Sequence, residues 1–177
     1  MKRLAAALAV LACLVLGTSR AHAFERQWHL GGGLGIATLK GSASGVNPAL
    51  GVYAAYGLSD MFDLKLELMD SSHDLGGHRT QILSASAGVV YKIDIIQWVP
   101  YVDLMAGYYG FSGGPSPLGH YAEPGASIGL GLDYSLSRSF AMGAQFRYHA
   151  FLRNPPQSLA DAPYFSALLR AEYRWGW

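Results

Sequence analysis

The chain has 177 residues, of which 51% are hydrophobic and 14% charged, with 22 glycines and a formal net charge of +1. That length allows one domain or a small pair, and the charged fraction lies well under the roughly 25% of soluble domains. No uninterrupted apolar run of ~20 residues follows the N-terminus, which excludes a helical membrane protein, and no basic block or stripe points to nucleic acid.

Met1-Lys2-Arg3 is a short cationic start, Leu4 to Gly17 is apolar, and Ala21-His22-Ala23 supplies the small-x-small pattern cut by signal peptidase. Residues 1–23 are therefore expected to be a cleaved export signal, with Ala21 and Ala23 at the cleavage site and 24–177 as one mature domain. A lipoprotein reading through Cys13 fits less well, because Val10-Leu11-Ala12 precedes it imperfectly and apolar sequence continues beyond it. Cleavage removes Lys2, Arg3, Arg20 and Cys13, leaving 10 basic and 12 acidic side chains, a net charge of −2 and no cysteine. The fold cannot rely on disulfides, although its compartment permits them.

In the mature chain helical periodicity fails and alternation with period two recurs. The first run sets Trp28, Leu30, Leu34 and Ile36 against His29, Gly31, Gly33 and Gly35. The clearest sets Phe62, Leu64, Leu66 and Leu68 against Asp63, Lys65 and Glu67. Ala126 to Tyr134 and Phe140 to Tyr148 alternate in the same way, and near the end Phe165, Ala167, Leu169, Ala171, Tyr173 and Trp175 oppose Ser166, Leu168, Arg170, Glu172 and Arg174. Successive strand side chains point to opposite faces, so each run has one greasy face and one polar or glycine face. Eight strands are predicted near residues 26–40, 48–57, 61–71, 79–92, 98–111, 121–135, 139–152 and 163–176. At about 10 to 16 residues they are long enough to cross a bilayer at a tilt.

Tight connections at Gly57-Leu58-Ser59-Asp60 and Ser135-Leu136-Ser137-Arg138, with a short one at 94–97, alternate with longer stretches at 41–47, 72–78, 112–120 and 153–162. That asymmetry belongs to outer-membrane barrels and puts both termini on the short-turn, periplasmic side. Tyr56-Gly57-Leu58-Ser59-Asp60-Met61-Phe62 and Tyr134-Ser135-Leu136-Ser137-Arg138-Ser139-Phe140 form a weak repeat, best explained by two hairpins converging on one kind of turn.

A soluble ligand-binding barrel would also alternate, so the direction of the greasy face decides the class. An eight-stranded interior is only just wide enough for its side chains, so the bulky apolar set is expected to face lipid. Trp28, Tyr56, Phe62, Tyr91, Trp98, Tyr134, Phe140, Tyr173 and Trp175 then form a membrane-interface girdle beside the tight turns. Asp63, Lys65, Glu67, Asp103, Glu123, Asp133, Gln145, Arg147, Arg170, Glu172 and Arg174 fall inside, where ions must be paired, so a lumen-filling charge network is expected. Solutes larger than water or small ions are not expected to pass.

With Tyr134 to Phe140, the run Arg170-Ala171-Glu172-Tyr173-Arg174-Trp175 and the terminal alternation Tyr173, Trp175, Trp177, the chain resembles the small eight-stranded outer-membrane barrels of the OmpA transmembrane domain and OmpX type over 24–177. The resemblance implies an all-β, antiparallel, up-and-down transmembrane barrel. It also implies that Tyr173, Trp175 and Trp177 are the signal read by the barrel-assembly machinery, with Trp177 where phenylalanine is more usual and Glu172 where glycine is frequent. No peptidoglycan-binding domain is expected to follow.

His149-Ala150-Phe151 is the nearest counterpart of the His-x-Ser pair in PagL-type lipid A deacylases, but it lacks the serine that would act as nucleophile, and by parity His149 points inward above Arg147 as a hydrogen-bonded interior histidine. His73-Asp74-Leu75-Gly76-Gly77-His78, with His120 in another loop, is read as solvated loop rather than as a metal site, because a Gly-Gly loop gives ligands no rigid frame. Gly31 to Gly35 lacks the Lys-Ser/Thr and helix of a phosphate loop and is read as strand glycines admitting bulky interior neighbours. The expected protein is thus a non-enzymatic, monomeric outer-membrane barrel with a structural or surface-interaction role. Its expected partners are membrane lipid and lipopolysaccharide, the assembly machinery during insertion and a loop partner, with no cofactor, metal or nucleic acid. A lipid A acyl hydrolase and a soluble periplasmic barrel are the rivals.

Overall fold

The computed structural model describes residues 26–39, 45–75, 77–93, 97–113, 120–152 and 163–176. The expected signal at 1–23, including Ala21 and Ala23, and the terminal Trp177 lie outside the described residues. Eight antiparallel strands, each paired with its chain neighbours, close into a barrel: β1 (Trp28–Leu39), β2 (Asn47–Gly57), β3 (Phe62–Leu75), β4 (His78–Lys92), β5 (Trp98–Gly113), β6 (His120–Ser135), β7 (Phe140–Phe151) and β8 (Tyr164–Trp175).

The register fixes the barrel's shape. Stepping across paired residues from Trp28 leads through Tyr56, Leu64, Val89, Leu104, Ile128, Tyr148 and Phe165 back to β1 at Thr38, a stagger of ten residues. With eight strands, that stagger tilts them by about 40° and gives a radius of about 8 Å.

Leu64, Leu66 and Leu68 settle the direction of the greasy face, being 47%, 59% and 52% exposed while Asp63, Lys65 and Glu67 beside them are buried. The same parity holds on β1, where Trp28, Leu30, Leu34 and Ile36 face outward. A soluble barrel would hide these side chains inside.

The two described tight turns share one construction. Leu58 and Ser59 donate their amides to the Phe62 carbonyl, and Leu136 and Ser137 donate theirs to that of Phe140. Ser59 Oγ and Ser137 Oγ accept amides further along the same turns. A shared need to reverse the chain in a few residues accounts for the repeat.

One connection departs from the sequence reading. Residues 72–78 are not a long loop, because β3 and β4 continue until Leu75 pairs with His78. Gly77 takes a φ of 79° and its amide meets Asp74 Oδ1 at 3.0 Å, so the turn is tight. The strands β3 to β6 have 14 to 16 residues against 11 or 12 in β1, β2, β7 and β8. With the tilt above, the described strands on that side end about 8 Å further from the tight turns.

Candidate functional site

The lumen holds two chemically different regions. Nearer the tight turns, alternation on β3, β5, β7 and β8 aims charged side chains at one another. Arg147 lies between two carboxylates, with Nη1 on Glu67 Oε1, Nη2 3.2 Å from Glu67 Oε2, and Nε and Nη2 at 3.2 and 2.7 Å from Asp103. Lys65 Nζ is 2.6 Å from Glu67 and 3.8 Å from Asp103, and Gln145 donates to Asp103. Two-fold forked contacts of this kind are the strong form of the ion pair, and burial makes each member depend on the others.

A second group sits still nearer the tight turns. Arg170 donates to Glu172 at 2.8 Å and approaches Asp133 at 3.4 Å, while its guanidinium carbon lies 4.4 and 4.8 Å from the ring centres of Tyr53 and Tyr101. Glu172 also accepts from His29, Tyr53 and Arg174, and Lys92 pairs with Asp63 at 2.7 Å. The cavity among these groups is about 20 Å³, room for about one water molecule.

Glycines admit two inward tyrosines, Tyr53 and Tyr101, in line with the reading of Gly31 to Gly35 as glycines that make room for bulky interior neighbours. A Cβ on Gly31 would lie 2.2 Å from the Tyr53 ring and one on Gly131 would lie 2.3 Å from Tyr101, both on the neighbouring strand. The narrow interior therefore takes bulky rings wherever the adjacent wall has no side chain. The readable signal is a glycine in cross-strand register with an inward tyrosine, as in Gly31 with Tyr53 and Tyr101 with Gly131. Lys92 and His29 also join the network beyond the expected set, both by inward parity.

Toward the end away from the tight turns charge gives way to rings. Tyr109, Phe111, Tyr164 and Phe151 pack with Leu39, Met69, Ile82 and Leu168. Tyr109 meets Phe151 and Tyr164 nearly at right angles with centroids 5.3 and 6.5 Å apart. Glu123 is buried at this end.

Two buried histidines run through this region: His73 corrects the sequence reading, whereas His149 is the inward, hydrogen-bonded histidine that parity predicts. His73 is not solvated: it faces inward from β3, where Asn47 Nδ2 donates to its Nδ1 at 3.0 Å. Its Nε2–H is then left to donate to Ser71 Oγ at 3.0 Å, and Ser71 lies 2.8 Å from the Tyr164 hydroxyl. His149, expected to lack a serine, has one from β8: Ser166 Oγ is 2.9 Å from Nε2, and the Tyr109 hydroxyl is 2.9 Å from Nδ1. Both serines and both rings are buried, so these contacts satisfy interior polar groups. Asp74 and His78 lie exposed at the hairpin, away from His73, and no group of three ligating side chains occurs among the described residues.

Outside, cross-strand aromatic pairs mark the tight-turn end of four strand pairs: Trp28–Tyr56, Phe62–Tyr91, Trp98–Tyr134 and Phe140–Tyr173. The first three have ring centroids 4.8, 5.2 and 4.8 Å apart, and Trp175 stacks on Tyr173. The tilt and register place all nine aromatics in a belt about 8 Å deep.

The family model for the outer membrane protein beta-barrel domain matches residues 6–165. The chain belongs to that family. Among solved structures it is similar to Ail, the attachment invasion locus protein of Yersinia pestis, with a TM-score of 0.61 and 15% identity over 86% of this chain and 100% of that one. Neisserial surface protein A gives 0.61 and 15% over 87% and 98%, and OprG from Pseudomonas aeruginosa gives 0.62 and 14% over 86% and 97%. No curated protein matches the sequence. Family, closed barrel and outward apolar face together make this an integral barrel of the outer membrane.

Proposed function

We propose that this barrel is a non-enzymatic, non-conducting surface protein that acts through its extracellular end. The filled lumen supports this: ion groups occupy its periplasmic part, a ring cluster closes the other, and the cavity among the ions is about 20 Å³. Open channels of this architecture have roughly 16 or more strands. Residues 1–23 act as the export signal, and Tyr173, Trp175 and Trp177 are read by the assembly machinery. The nine aromatics hold the barrel at the inner headgroup layer.

The test has three arms. Reconstituted protein in planar bilayers is expected to give no conductance steps, and incubation with lipopolysaccharide is expected to release no acyl chain by mass spectrometry. An open-pore conductance or a released fatty acid overturns the proposal. On intact cells an Asp74→Cys variant is expected to react with a membrane-impermeant maleimide and a Ser137→Cys variant is not. The opposite labelling pattern would invert the barrel and remove the surface role.

A further inference from the structure

The lipid-facing wall is not uniform. On β4 the outward residues Ala85 and Ala87 pair with Leu68 and Leu66 of β3 on one side and with Tyr108 and Ala106 of β5 on the other. A floor of methyl groups thus lies beside taller walls. The result is a groove of about 720 Å³ lined mostly by aliphatic atoms, and roughly 300–1,000 Å³ is the size of small-molecule sites. The tilt and register put its floor about 15 to 20 Å above the aromatic belt, in the extracellular half of the apolar band. What fills it there is the outer leaflet.

Directly above, the outward face of the β3–β4 hairpin turns polar within one side-chain step. Asp70 follows Leu68 on that face, and Gln81 follows Leu83. Gln81 Nε2 donates to Asp70 Oδ1 at 2.9 Å and Arg79 Nη2 donates to Ser72 Oγ at 3.3 Å. The longer strands on that side lift this ladder into the headgroup layer. Planar amide, carboxylate and guanidinium groups of mixed sign suit a surface rich in hydroxyls, because each offers donors and acceptors in a fixed plane. An apolar furrow running up to such a ladder has the outline of a glycolipid.

We propose that this face is a specific site for lipopolysaccharide, with one acyl chain in the Ala85–Ala87–Ala106 groove and the sugar backbone against Asp70, Arg79 and Gln81. The site is independent of whether the extracellular end binds a partner, and it relies only on the membrane placement. A phospholipid or a second barrel would be a different occupant, and the test separates them.

Protein extracted in mild detergent from membranes containing lipopolysaccharide is analysed by native mass spectrometry and by hydroxy-fatty-acid content. Wild-type protein is expected to retain lipopolysaccharide, and Ala85→Leu with Ala106→Leu, which fills the groove, to retain roughly tenfold less. Ala144→Leu, on the outward face of β7, is the control and is expected to behave as wild type. Arg79→Ala with Gln81→Ala is expected to keep a lipid but lose the preference for lipopolysaccharide over phospholipid. Adding apolar bulk to a lipid-facing surface leaves folding intact, which the heat-dependent gel shift of each variant checks. Equal retention by the groove-filled variant and the control overturns the site, as does wild-type protein carrying phospholipid alone. A wild-type dimer dissociated by the double leucine variant would make the groove a subunit interface and also overturn the proposal.

Discussion

The two ends of the lumen solve one packing problem by opposite means. In the periplasmic part Arg147 is shared by Glu67 and Asp103, and Arg170 by Asp133, Glu172 and two tyrosine rings. At the extracellular end Tyr109, Phe111, Phe151 and Tyr164 fill the space with ring contacts. Buried ions tolerate few alternative neighbours, so the charged part selects the strand register, whereas the rings exclude water and tolerate small shifts. Specificity is concentrated below and sealing above.

Removing one ion should therefore have the largest effect. Arg147→Met leaves Glu67 and Asp103 with Lys65 as the neighbouring cation, and a loss of about 3–5 kcal/mol is expected from urea titrations in vesicles. Adding Glu67→Gln should recover part of that loss, since members of one network couple by about 0.5–3 kcal/mol. Strict additivity would show that the two side chains do not depend on each other. Tyr109→Ala is expected to cost about 3 kcal/mol, by lost contact and the cavity left behind. Combined with a distant lumen variant its effect should add, and a strong coupling to Arg147→Met would erase the contrast between the two regions.

Most of this architecture was readable because each strand has one face in lipid and one in a crowded lumen, so parity alone assigns a side chain to its surroundings. Asp63, Lys65 and Glu67 alternate with Phe62, Leu64, Leu66 and Leu68, and a one-residue slip would turn all three ions to lipid. The errors arose where parity was abandoned. Ser71 and His73 continue the alternation of β3 into its hairpin, but a Gly-Gly pair and polar neighbours made residues 72–78 look like loop. The serine beside His149 comes from another strand, and such proximity depends on the stagger of the closed sheet rather than on any local motif. Gly31 to Gly35 were readable as glycines that make room for bulky interior neighbours, but the neighbour itself, Tyr53 beside Gly31, is named only by the cross-strand register. Gly131→Ala tests that relation, because its Cβ would force Tyr101 away from Arg170. A loss of about 2 kcal/mol is expected in the same titrations, and a neutral result would mean that the ring and the guanidinium are not held together.

The smallest expected effect separates the lumen from the belt. Trp98 packs on Tyr134 with ring centroids 4.8 Å apart, and the Tyr134 hydroxyl donates to Gln97 Oε1 at 3.0 Å, so the pair presents apolar faces with a polar edge. Trp98→Ala removes an aromatic pair contact of about 1 kcal/mol and, in a bilayer, a ring suited to the headgroup layer. Its cost is therefore expected to be larger in vesicles than in detergent micelles, which have no planar interface. The lumen variants, whose surroundings are protein on every side, should lose the same stability in both media. An equal loss for Trp98→Ala in micelles and vesicles would assign its contribution to packing on Tyr134 alone and remove the interfacial role from that part of the belt.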